Sequence, residues 1–171
     1  MDIDISGLFR KSFIDSLPTL FYLLIPIIII SGLVIAIKIG YYFYRQHIYN
    51  KAGLDKIDKM PGYVFEEYLT NLFARLGYRV NHIGKFGDFG GDLIIEKDGM
   101  KTLVQAKRSS DRIREKAIQE AVTAKEYYHC DKAMVVTNNY FYKHAWTLGK
   151  GTNIDLWARN KLAEVISQNI N

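Results

Sequence analysis

From residue 17 to residue 37 the chain reads LPTLFYLLIPIIIISGLVIAI, without one charged side chain. A helix needs roughly 20 apolar residues to cross a bilayer, and inside hydrocarbon its backbone groups must pair with one another. The run therefore predicts one transmembrane helix, with Pro26 as a tolerated kink. Tyr41-Tyr42-Phe43-Tyr44 suits the interfacial aromatic belt and Lys38 can snorkel to the headgroups, so the spanning segment is read as residues 17–44. Two plainer readings fit less well. A buried core helix would show a polar stripe or a capped end, and a signal peptide would have a shorter apolar region followed by small residues at a cleavage site.

The flanks orient this segment. Lys38, Arg45, Lys51, Lys56 and Lys59 follow the run, whereas only Arg10 and Lys11 precede it. Excess lysine and arginine marks the cytoplasmic side, so a single-pass protein of the cell membrane is expected, its C-terminal domain in the cytoplasm. The lone Cys130 agrees, since it offers no disulfide framework and suits a reducing compartment. Residues 1–16 mix apolar and charged side chains and read as a short interfacial segment. Residues 45–60 read as a polar juxtamembrane connector that extends the membrane helix until Pro61 breaks it, with Asp58 or a neighbour capping the next helix. A chain of 171 residues then has room for one domain, over residues 61–171. Its net charge of +5 permits a nucleic-acid partner without demanding one. With no Cys/His cluster, a structural zinc site is not expected.

Within that domain Phe65, Leu69, Leu72, Phe73 and Leu76 recur at helical spacing, with Glu66 beside the stripe. Strands are expected at 78–82, at both arms of GGDLIIEKDGMKTLVQAKR, at 132–137 and at 154–157. Helices are expected at 112–128, at 141–149 and at the C-terminus. This order predicts an α/β domain with a mixed sheet flanked by helices.

The hairpin concentrates the chemistry. Asp98-Gly99 is a turn signal, and antiparallel pairing through it brings Asp92 near Gln105 and Lys107. Gln105 and Lys107 share one strand face while Ala106 takes the other. A carboxylate, an amide oxygen and an ammonium around one point can hold a hard divalent cation and position a water. Gly87, Gly90 and Gly91 around Asp88 let the backbone turn tightly beside Asp92. Taken alone, a hairpin with one Asp and one Lys is more often a solvated face or a weak surface ion pair.

These motifs together resemble the PD-(D/E)xK nuclease superfamily, most closely its Mrr-like restriction endonuclease branch, over roughly residues 61–166. The matching pieces are Gly62-Tyr-Val-Phe65-Glu66, the Leu76-Gly77-Tyr78 helix exit, Asp88-Phe-Gly-Gly-Asp92 and Val104-Gln105-Ala106-Lys107-Arg108. Val135-Val136-Thr137-Asn138 and the segment from Phe141 to Ala145 follow in order. The resemblance implies a restriction-endonuclease-like mixed β-sheet and metal-dependent hydrolysis of DNA phosphodiesters, in restriction or defence against foreign DNA. It assigns Asp92, Gln105 and Lys107 as catalytic residues, with Gln105 replacing the usual acid and Glu66 as a helix-borne acid facing the metal. Asp92, Gln105 and Glu66 would hold Mg²⁺, with Mn²⁺ as a substitute. A homodimer or higher oligomer would let both strands of a duplex be cut.

Arg108, Arg112 and Lys116 crowd the end of the lysine strand and read equally well as a phosphate-tracking surface or as a solvated loop. The resemblance adds Gln119, near the scissile phosphate. Asn138, Asn139 and Tyr140 suit either substrate contact or a turn, and His82, His129 and His144 have no evident partner. The alternative function is a catalytically inactive, membrane-tethered DNA-binding or interaction module on the same fold.

Overall fold

The computed structural model describes residues 22–41, 44, 53–83 and 90–169. The expected segment 1–16, the start of the membrane run, Tyr42, Phe43, the first half of the connector (residues 45–52), and Gly87, Asp88 and Phe89 lie outside the described residues. The chain forms two compact units, residues 1–47 and 48–171.

In the first unit, helix α1 spans Tyr22–Tyr41 and is long and apolar enough to cross a membrane. It continues through Pro26, and its described side chains are exposed along its whole length. An apolar surface of that extent marks contact with another apolar phase or partner.

The second unit begins earlier than Pro61. A short helix, α2 (Leu54–Ile57), precedes that proline, and both Ile57 and Met60 are buried in the core. The order then runs α3 (Gly62–Arg75), β1 (Arg79–His82), β2 (Leu93–Lys97), β3 (Met100–Lys107), α4 (Lys116–Tyr127), β4 (Lys132–Thr137), α5 (Lys143–Gly151), β5 (Asp155–Trp157) and α6 (Arg159–Asn169). The strands lie side by side in sequence order. β1, β2 and β3 are antiparallel neighbours, while β4 and β5 run parallel to β3, with α4 and α5 as crossovers. This is the mixed, helix-flanked sheet expected from the sequence.

Local chemistry explains the joints. Asp98 and Gly99 both have positive φ, 53° and 77°, as a two-residue hairpin turn of the I′ type requires. α3 ends at Gly77 with φ 83°; Tyr78 N donates to Phe73 O at 3.0 Å and Gly77 N donates to Ala74 O at 3.0 Å. Those two bonds form a Schellman cap, and the Tyr78 ring closes it against Phe73. Asp58 does not cap α3, whose N-cap is Pro61 with no side-chain bond.

Two helices start later than their periodicity suggests, for one shared reason. Ile113 forms a β-bridge with Phe141: its N–H donates to Tyr140 O at 2.8 Å, and Tyr142 N donates to its carbonyl at 2.9 Å. That extended pairing holds residues 113 and 141 out of helical conformation, so α4 starts at Lys116 and α5 at Lys143.

The sheet separates two cores. Val104, Ala106, Leu93 and Met134 pack with α2, α3 and α6. Leu103, Ala133 and Val135 pack with α4 and α5. β3 is thus buried on both faces, as an internal strand of a partly parallel sheet should be. Ile57→Ala tests whether the folded unit includes α2. It should destabilise the unit by about 2–4 kcal/mol through the cavity left behind. Thermal melting of the full chain in detergent micelles, followed by fluorescence of Trp157 (5.5 Å from the Phe73 ring), would measure it; an unchanged melting point would place α2 outside the cooperative unit.

Candidate active site

The hairpin register places Leu93 opposite Val104 and so carries Asp92 alongside Gln105. The backbone holds Asp92 from both sides: its N–H donates to Val104 O at 3.0 Å, and its carbonyl accepts from Ile83 N at 2.9 Å. Its Oδ2 accepts from Gln105 Nε2 at 2.7 Å and from Ala106 N at 2.6 Å. The carboxylate is therefore fixed against the strand by a side-chain amide and a backbone amide. Gln105 is only 2% exposed, and its Oε1 is buried without a hydrogen-bond partner among the described residues. A buried acceptor left unsatisfied costs stability, so this atom suits a group that brings positive charge. Hard divalent cations take oxygen ligands of this kind.

Lys107 lies two residues on, on the same strand face. Its Nζ stands 2.8 Å from Oε2 of Glu120 on α4. The two form an ion pair, and Glu120 Oε2 is a second buried acceptor without a hydrogen bond among the described residues. α4 reaches the strand ends because the preceding backbone is glycine. Gly90 has φ 90°, and a Cβ there would fall 2.7 Å from Glu120 Cβ. A Cβ on Gly91 would fall 2.7 Å from Leu103 Cδ1. These two glycines thus serve close packing against α4 as much as turning.

The other expected residues are distributed unevenly. Glu66 sits on α3, which covers the opposite sheet face, and its carboxylate lies 3.4 Å from His82 Nε2. His82 therefore has a partner, unlike the expectation from sequence. Arg112 and Lys116 join Lys107 and Glu120 along an open groove of about 270 Å³, together with Arg114. Gln119 is exposed on α4, one position short of Glu120. Glu120 is the residue that sequence reasoning missed, although a signal existed. Ala117, Ile118, Ala121 and Ala124 form the buried stripe of α4, and Glu120 lies three residues after Ala117 and four before Ala124.

Arg108 and Asn138 belong to a structural network. The Arg108 guanidinium donates to the Asp58 carbonyl. The Asp58 carboxylate accepts from Arg159 through both guanidinium NH groups, at 2.7 and 2.9 Å, and from Asn138 Nδ2 at 2.9 Å. Asn138 Oδ1 in turn accepts from Ser109 N at 2.8 Å. Asn139 Nδ2 donates to Ser110 O, and the Tyr140 hydroxyl bonds Asn160. The polar residues after β3 and β4 thus tie α2, both strand ends and α6 together.

With this geometry in view, similarity to known proteins identifies the class. The Mrr_cat restriction endonuclease family model matches residues 57–166, and the chain belongs to that family. The fold is also that of AspBHI, a DNA modification-dependent restriction endonuclease, with a TM-score of 0.55 at 15% identity over 70% of this chain and 35% of that one. MspJI, solved with a 27-mer oligonucleotide, gives 0.48 at 18% identity over 71% and 30% of the two chains. A crystallised protein of unknown function gives 0.49 at 15% identity over 58% and 63%. The chain thus spans about a third of the two restriction enzymes. No curated protein matches it.

The Asp58 network carries a pH prediction. The hydrogen bond from Arg159 holds the Asp58 carboxyl below its ordinary range, outweighing burial, with Asn138 adding to the shift. A depressed folded-state pKa contributes stability above the unfolded value and loses it as pH falls through the folded one. The melting point of Asp58→Asn should lie below that of the native chain near neutrality, and the gap should narrow as pH falls below about 5 and on through the depressed folded value. A gap constant over that range would show that the charge of Asp58 contributes nothing.

Proposed function

We propose that this chain is a membrane-anchored, divalent-metal-dependent endodeoxyribonuclease acting in restriction or defence, its nuclease domain on the cytoplasmic side of the cell membrane. The observation that carries the reading is the convergence of Asp92, the buried Gln105 amide and Lys107 on one strand face. Asp92 and Gln105 would hold Mg²⁺ or Mn²⁺; Glu66, the acid assigned by family resemblance, lies on α3 over the other sheet face and pairs with His82, so it is not included in this set. When bound, such an ion polarises a phosphoryl oxygen and eases deprotonation of water. Asp92 is preoriented by two N–H donors, which lowers the cost of arranging it during the reaction. Lys107 brings a positive charge to the side where the phosphate gains negative charge. Arg112 and Lys116 line the groove beside it and suit DNA backbone phosphates. Helix α1 has the length and composition of an anchor, and the lysines and arginines that follow it favour the cytoplasmic orientation.

A second reading has a specific observation behind it. Gln105 is neutral and Lys107 is engaged by Glu120, as suits a tethered DNA-binding module that does not cleave. The two readings separate cleanly. The full chain in micelles, given supercoiled, linear, modified and single-stranded DNA with Mg²⁺ or Mn²⁺, should cleave, and EDTA should abolish cleavage. Asp92→Ala and Lys107→Ala should each lose at least about 10²-fold in rate, the scale for removing one preorganised electrostatic group, while still binding DNA. Binding without cleavage by the native chain would select the module, and cleavage unaffected in either variant would reject the assigned site.

A further inference from the structure

We propose that Glu120 of α4 is the second carboxylate of the cation site formed with Asp92 and Gln105, restoring the negative charge that Gln105 lacks. This rests on the metal-dependent nuclease reading and names a ligand that the motif alone does not supply.

Three elements deliver groups to one face of the sheet: Asp92 at the entry to β2, Gln105 and Lys107 on β3, and Glu120 on α4. Asp92 contributes one negative charge, and its Oδ2 already accepts two N–H donors. Gln105 contributes an oxygen without charge. Magnesium is usually held through one or two carboxylates, with water and phosphate completing its shell. Glu120 is placed to be the second.

The orphaned atoms provide independent support. Among the described residues, Gln105 Oε1 and Glu120 Oε2 are both buried acceptors without a hydrogen bond. The Gln105 side chain is 2% exposed, and because its Nε2 bonds Asp92, its Oε1 lies beside the same carboxylate. Nearly all buried acceptors in folded proteins find donors. Gln105 Oε1, beside an aspartate, and Glu120 Oε2, held by an ion pair on the same sheet face, are oxygens of the kind a hard cation takes. Among the described residues the Lys107 ammonium pairs with Glu120, 2.8 Å from its Oε2. It holds Glu120 by charge, an interaction that a divalent ion can outcompete. Gly90 adds a steric argument: with its positive φ and no Cβ, it lets the Glu120 stem pack directly beside the segment that leads into Asp92.

The alternative role for Glu120 is to position Lys107 only. Direct Mn²⁺ binding by the full chain in micelles without DNA, measured by electron paramagnetic resonance, separates the two. The native chain should bind Mn²⁺, and Glu120→Gln should weaken it by at least about tenfold, the range seen when support for a metal site is removed. Glu120→Asp should recover part of that loss, Gln119→Ala should change nothing, and Lys107→Met should bind at least as tightly as the native chain, since a competing cation is gone. Trp157 fluorescence would confirm that each variant is folded, and Glu120→Asp stands in if Glu120→Gln is not. Native affinity in Glu120→Gln, together with loss in Asp92→Ala, would overturn the Glu120 assignment and leave the nuclease reading intact. No Mn²⁺ binding by the native chain would overturn both. Weakening in Lys107→Met equal to that in Glu120→Gln would assign Glu120 to positioning instead.

Discussion

The pairing of β3 on both edges and its burial on both faces organise the second unit. Its partners are β2 on one side and β4 on the other, one antiparallel and one parallel. Its residues alternate between the core beneath α3 and the core beneath α4, so a slip of one residue would exchange the two sets. That penalty makes the register unambiguous. The same register decides which polar groups stand together, because Gln105 and Lys107 follow Leu103 on the α4 face. The site geometry is thus a by-product of apolar sorting, and the polar groups need little strength of their own to be held in place.

Around this strand, close packing and hydrogen bonding divide the task. On the α4 side, small residues do the positioning: Gly90 and Gly91 on the strand approach and Ala117, Ala121 and Ala124 on the helix let two backbones come near each other. At the far ends of β3 and β4 the chain relies on polar bonds, where Asp58 gathers Arg159, Asn138 and Arg108. A carboxylate with two guanidinium bonds and an amide is well compensated for partial burial, which suits a joint where four elements meet.

The parts legible in the sequence are those with short range. The Asp98-Gly99 turn, the alternation in QAK and the stripe on α3 each depend on residues within a few positions, and the structure reproduces them. Glu120 was equally local, since its phase on α4 faces the sheet, but the family resemblance points to its neighbour Gln119. The Asp58 network was not legible at all. Asp58 meets Asn138 across 80 positions and Arg159 across 101, and no periodicity connects residues so far apart. The Glu66–His82 pair was hidden similarly, because a helix and an edge strand meet only once the sheet has formed. Late starts for α4 and α5 had the same origin in the single bridge between Ile113 and Phe141.

The position of Asp58 has a mechanical consequence. It lies immediately after α2, the first described element of the second unit along the chain, and it grips Arg108, which directly follows Lys107. A pull transmitted along the polypeptide from its N-terminal side therefore meets only the four residues of α2 before it reaches the residue that braces the end of β3. The N-terminal entry to the second unit and the end of the lysine strand share one anchor point.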